Sequence, residues 1–195
     1  LMLKKSNSSD ILSNNFSREY FVGTYLVDNS EEANLDSDAY VLISEIVIEG
    51  WEDHPEGRKL ELAAYDAMNV KPGSIVNNEI LEKNLDSIYS TGWFSGVKLK
   101  AEDGPLGVKL IVKIVPNPIL KQITLQPSNT IITQKFVNKI FNKYYGSTLN
   151  LNELQDRINE IKKWYKDQGY SIARVSGPER ISNNGSIQLN IDEGI

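Results

Sequence analysis

Few residues in this chain are placed to do acid–base or metal chemistry. His54 is the single histidine, and it lies among Glu52, Asp53 and Glu56. One imidazole beside three carboxylates could hold a cation or pass a proton, but zinc usually draws on more than one nitrogen or sulfur ligand. The chain has no cysteine to supply thiolates. Trp51 to Gly57 is therefore expected to be a solvated polar loop. The acidic run from Asp28 to Asp38 offers carboxylates for calcium, yet it lacks the glycine and terminal glutamate of an EF-hand loop. No G-x-S-x-G, P-loop or dinucleotide fingerprint occurs, and a lone histidine leaves little from which to build a triad. No catalytic residue, metal site or cofactor is expected, so the function should be one of binding.

The bulk composition narrows what is bound. The net charge is −5 with no basic stripe, which argues against nucleic acid. Apolar residues make up 40% of the chain, enough for small packed cores. No apolar run is long enough for a membrane-spanning helix. The N-terminus shows no signal-peptide h-region, as in a mature fragment or an excised piece.

The elements that must position any binding residues come in two copies. Leu81 to Leu99 reads LEKNLDSIYSTGWFSGVKL, and Ile158 to Val175 reads INEIKKWYKDQGYSIARV. Both are an amphipathic helix, then Gly-aromatic, then a strand, with Gly92 and Trp93 matching Gly169 and Tyr170. A repeat of this size implies two small domains in tandem. Residues 1–38 are rich in Ser, Asn, Asp and Glu, interrupted by Phe16, Tyr20, Phe21, Tyr25 and Leu26, and read as a flexible polar linker.

In the first domain, residues 39–116, a β-branched strand over Tyr40 to Glu49 precedes a helix over Arg58 to Met68. Lys71-Pro72-Gly73 is a turn. A second helix begins near Asn78, capped by Asn77 or Asn78, with Leu81, Leu85 and Ile88 as its apolar stripe. Two alternating strands follow, joined at Glu102-Asp103-Gly104-Pro105. Pro116-Asn117-Pro118 is the hinge, stiffened by two prolines.

The second domain, residues 117–195, repeats the order. Its first strand holds Ile119, Lys121, Ile123 and Leu125. Its first helix spans Phe136 to Tyr144, and Asn150-x-x-Glu153 resembles a capping box for the second. Tyr170, Ile172 and Arg174 share one parity of the next strand. The turn Asn183-Asn184-Gly185 then leads to Ile187, Leu189 and Ile191. The expected fold is α+β: two tandem β-α-α-β-β units, each a three-stranded mixed sheet with two helices on one face.

This order of elements, with Thr91-Gly92-Trp93-Phe94-Ser95-Gly96-Val97, resembles the POTRA domains of the Omp85 superfamily. Gly104 to Val108 and Asn117-Pro118 are similar to the first POTRA domain of cyanobacterial Omp85. Tyr145-Gly146, Asn150-Leu151 and Trp164-Tyr165-x-x-x-Gly169-Tyr170 are similar to its second. Chloroplast outer-envelope relatives share much of this pattern. The resemblance covers residues 40 to 195, and its specificity lies in the order and spacing of degenerate motifs. It implies a non-enzymatic arm on the periplasmic face of the outer membrane, or at a chloroplast outer envelope, in front of a membrane barrel absent from this sequence. A clear third POTRA unit, expected of cyanobacterial members, is absent too.

The partners so implied are unfolded outer-membrane or precursor polypeptides, other POTRA units and the barrel, with no nucleic acid and with membrane contact only through the barrel. Clients would add as strands at sheet edges. The candidate edges are Ser95, Gly96, Val97, Lys98, Leu99 and Lys100 in the first unit, and Ser171, Ile172, Ala173, Arg174 and Val175 in the second. Gly92-Trp93 and Gly169-Tyr170 are read chiefly as structural turns. Rival readings are an arm binding transit peptides at a chloroplast import channel and the arm of a two-partner secretion transporter. A small hydrolase is the rival from another class, and turnover lost on His54→Ala would support it.

Overall fold

The structure is a computed structural model describing residues 39–194; the segment expected to be a linker, 1–38, lies outside the described residues. The first sheet opens with β1, Val41–Glu49, followed by α1, Gly57–Ala67. Next come β2, Ile75–Val76, and α2, Asn78–Ser90. The antiparallel pair β3, Phe94–Gly104, and β4, Gly107–Pro116, completes this part. β1 pairs in parallel with β4 and antiparallel with β2, giving the order β2-β1-β4-β3.

The sheet therefore has four strands rather than the expected three. β2 is only two residues long, too short to show alternation. The hairpin loop is also tighter than expected. Glu102, Asp103 and Gly104 belong to β3, and Gly104 pairs with Gly107 across Pro105-Leu106. Asn77 caps α2, its side-chain oxygen accepting from Ile80 N at 3.0 Å. Leu81, Leu85 and Ile88 are buried on the sheet side. They join Ile43, Leu60, Val97, Leu99, Leu110 and Val112 in one core.

The second part comprises β5, Gln122–Gln126, and α3, Gln134–Phe141. α4, Leu151–Asp167, β6, Arg174–Ser176, and β7, Ser186–Asp192, follow. Its sheet has the order β5-β7-β6, with β5 parallel and β6 antiparallel to β7. Here three strands are found as expected, although Ile119 precedes β5 and forms an isolated bridge to Thr148. α3 ends at Phe141, so Tyr144 lies in the following turn. Asn150 caps α4 through Asn152 N and Glu153 N. The reciprocal half of the expected capping box is missing, because the Glu153 carboxylate accepts from Tyr144 OH instead. A separate core gathers Ile123, Phe141, Leu154, Ile158, Tyr165 and Leu189.

Candidate functional site: sheet edges and the joint between the sheets

The sheet orders leave β3 and β6 at edges, beside central strands β4 and β7. β3 runs for eleven residues. Val97, Leu99 and Ala101 face the core, while Lys98 is exposed and Lys100 half-buried. Lys98 stands opposite Lys113, and Glu102 opposite Lys109. Lys100 Nζ lies 2.8 Å from Glu102, and this hydrogen bond draws the Glu102 carboxyl below its ordinary value. The outward face of this edge is thus charged and well solvated, as suits a strand kept from indiscriminate pairing.

The second edge is shorter than expected. Ser171, Ile172 and Ala173 form a turn, so only Arg174, Val175 and Ser176 are strand. The Ala173 amide bonds Tyr170 O instead of a sheet neighbour. On the opposite side, β5 is partly used by its own unit, since Gln134 Nε2 donates to Ile123 O at 2.7 Å.

Gly92 and Gly169 have φ of 80° and 93°, the left-handed conformation that a glycine reaches without steric penalty. At Gly169 the helix end satisfies itself. The amide of Gly169 bonds Lys166 O and that of Tyr170 bonds Tyr165 O, the paired pattern of a Schellman cap. Tyr170 also packs edge-on against Tyr165 at 6.1 Å. At Gly92 the amide bonds Tyr89 O, and Trp93 is half-buried under Lys59 Nζ, 4.5 Å from its ring.

The remaining carbonyls of the α2 end are taken by the second part of the chain. Asn152 Nδ2 donates to Ser90 O, Asn150 Nδ2 to Thr91 O, and the Leu151 amide to Gly92 O, all at 2.8–2.9 Å. The C-terminus of α2 therefore abuts the N-terminus of α4, opposite ends of two helix dipoles.

Asn117, expected only as a hinge residue, is fully buried in this joint. Its side-chain amide donates to Gly92 O and Leu149 O, and its backbone amide to Trp93 O. Pro116 is the last residue of β4 and Pro118 accepts from the Leu149 amide.

The loop expected to be solvated belongs to the same joint. His54 Nε2 lies 3.1 Å from Asn117 O, and its Nδ1 accepts from the Glu56 amide. The Glu56 carboxylate accepts from the Thr148 amide at 2.6 Å and from the Thr148 hydroxyl. The Thr148 hydroxyl, above all, holds the Glu56 carboxyl below its ordinary value. His54 and Glu56 are thus structural fasteners, and among the described residues no group of three or more His, Cys, Asp or Glu side chains could hold a metal ion. Sequence reading placed Asn150 as a helix cap but missed its second bond to Thr91. The signal for the joint was an asparagine held between two prolines, Pro116-Asn117-Pro118.

Two sheets of this topology, joined in series, match known proteins over most of the described chain. The POTRA1–2 structure of the periplasmic domain of Omp85 from Anabaena is 35% identical, with a TM-score of 0.69. That match covers 80% of this chain and 98% of the other. The chain belongs to the POTRA domains of the Omp85 family. A family profile described as POTRA domain, ShlB-type, matches residues 119–194, the second POTRA unit. The N-terminal domain of Omp85 from Thermosynechococcus elongatus is also 35% identical, with a TM-score of 0.72 over 81% of this chain and 65% of that one. Outer envelope protein 80, chloroplastic, from Arabidopsis thaliana is 25% identical over 155 residues. These are 78% of this chain but 21% of that protein, so the chain spans about a fifth of its curated relative. As POTRA domains, the two units belong to a family of non-enzymatic modules.

Proposed function

We propose that residues 39–116 and 117–195 act as two POTRA units of an arm that receives extended polypeptides, chiefly along β3. The observation that carries this reading is the contrast in edges: eleven residues of β3 against three of β6. A strand laid beside β3 gains main-chain hydrogen bonds that do not depend on its sequence, which suits a receptor for many clients. Each such bond contributes about 1 kcal/mol net, and ordering a flexible client costs several. Binding at one edge is therefore weak. In the assembled machine the arm would stand on the periplasmic side of the outer membrane, before a barrel that folds or inserts clients.

A second client class is supported by the similarity to the chloroplast outer envelope protein. Precursor peptides entering a plastid would meet the same edge, because the recognised chemistry is backbone.

Titrating the chain with an unfolded peptide from an outer-membrane barrel strand should shift the amide resonances of Val97 to Ala101. Lys98→Pro, which removes one backbone donor, should weaken binding while the unit stays folded. Shifts confined to α1 and α2, with undiminished binding by folded Lys98→Pro, would move the site to a helix face. A transit peptide tested in parallel separates the two client classes.

A further inference from the structure

The solvent face of the first sheet carries rows of charge that run across its strands. In β1, Glu45 and Glu49 stand beside Lys109 and Lys113 of β4. In β3, Glu102 and Lys98 stand on the other side of the same two lysines. Lys109 therefore lies between two carboxylates, and Lys100 Nζ adds a cation 2.8 Å from Glu102. Lys113 lies between Glu49 and Lys98, and both of these lysines are exposed. Opposite charges facing each other across a sheet are favourable, and like charges are unfavourable. One row thus alternates in sign, while the other ends in two cations side by side.

β3 is the last strand of this sheet among the described residues. A strand added to it would set one side chain beside Lys98, as the fourth member of the row Glu49, Lys113, Lys98. Its alternate residues would point the other way, continuing the inward row of Val97, Leu99 and Ala101, which are buried.

We infer that the β3 edge selects extended segments that are apolar on the inward row and carry a carboxylate beside Lys98. This selection rests on β3 being the edge that clients use. Main-chain pairing alone accepts any sequence, and pockets or charges beside it supply the preference. A carboxylate in this place gives Lys98 an opposite charge on its flank, as Glu49 does for Lys113. A lysine or arginine there would make a third cation in line. The chain as a whole carries a net charge of −5, which at long range disfavours an acidic peptide. A preference for acid would therefore arise in the local row.

Three short capped peptides, each alternating valine with threonine, test this when the central outward residue is Glu, Gln or Lys. They are titrated into the full chain at low ionic strength, with the amide shifts of Val97 to Ala101 as the readout. The Glu peptide should bind about threefold more tightly than the Gln peptide, and the Lys peptide about threefold less tightly. Salt at about 1 M, where screening acts within about 3 Å, should bring the three together. Lys98→Glu sets an acid opposite Lys113, a pairing that the sheet favours, and should reverse the order. Equal affinities at low salt, with shifts still along β3, would overturn the charge selection and leave β3 as the client edge. An order unchanged in Lys98→Glu would overturn it too, by assigning the preference to another charge. Shifts absent from β3 with all three peptides would overturn both the selection and the edge.

Discussion

Two glycines, Gly92 and Gly169, end corresponding helices in nearly the same conformation, yet they stand in different surroundings. A Cβ added at Gly92 would lie 2.7 Å from Asn150 Oδ1 and 3.0 Å from Asn152 Nδ2. At Gly169 nothing lies within 4 Å of that position. One glycine serves both a turn and a close approach between units; the other serves the turn alone. The α4 end closes on its own backbone, whereas the α2 end is completed by donors from the following unit. The same motif thus carries two different structural loads, and the difference is visible only once the units are docked.

Gly92→Val should break this contrast most severely. It adds left-handed strain of about 1–2 kcal/mol and pushes Asn150 and Asn152 off the α2 carbonyls. The urea midpoint should fall and distances between spin labels on the two units should broaden. Distances as narrow as in the parent would show that the joint tolerates a side chain there.

Asn117→Ala comes next. It removes the buried donor from Leu149 O and one of the two donors to Gly92 O, which keeps the Leu151 amide, a loss of about 1–3 kcal/mol. It should broaden the interdomain distances more than replacing both Pro116 and Pro118 with glycine. The reverse ranking would assign the orientation to the stiffness of the prolines rather than to the amide network.

Gly169→Val should destabilise the second unit by more than about 1 kcal/mol, through backbone strain alone. Interdomain distances should stay as in the parent. An unchanged urea midpoint would count against a strained cap.

Glu56→Gln should have the smallest effect, and one confined to acid. The folded-state pKa of Glu56 is lowered from its ordinary 4.5. Its contribution is thus complete above that value and lost as pH falls through the lower folded one. Parent interdomain distances should broaden on acidification through this window, and those of Glu56→Gln should change less. Identical acid profiles would remove Glu56 from the joint.

Much of each unit was legible in the sequence because it depends on local chemistry. The stripe Leu81-Leu85-Ile88, the caps at Asn77 and Asn150, and the glycines that end α2 and α4 are all set within a few residues. β2 was not legible, since two residues cannot display a period. Ser171 to Ala173 misled for a related reason. Their parity continues that of Arg174, but the aromatic Tyr170 is anchored to Tyr165 and turns the chain before β6 begins. The joint was hidden for want of proximity in sequence. His54 meets Asn117 across 63 positions and Glu56 meets Thr148 across 92, distances at which no spacing rule applies.

The β3 edge and the joint share their backbone. Gly92 O holds Leu151, Trp93 O holds Asn117, and β3 starts at the next residue, Phe94. On the proposed reading, a client strand that fixed the beginning of β3 would act on the residues that fasten one unit to the other. Linkage makes the relation reciprocal: whatever factor a bound peptide applies to the equilibrium between joint orientations, each orientation applies to the affinity for that peptide. If clients bind there as proposed, the angle between the units and the grip on a client would be two readings of one free energy.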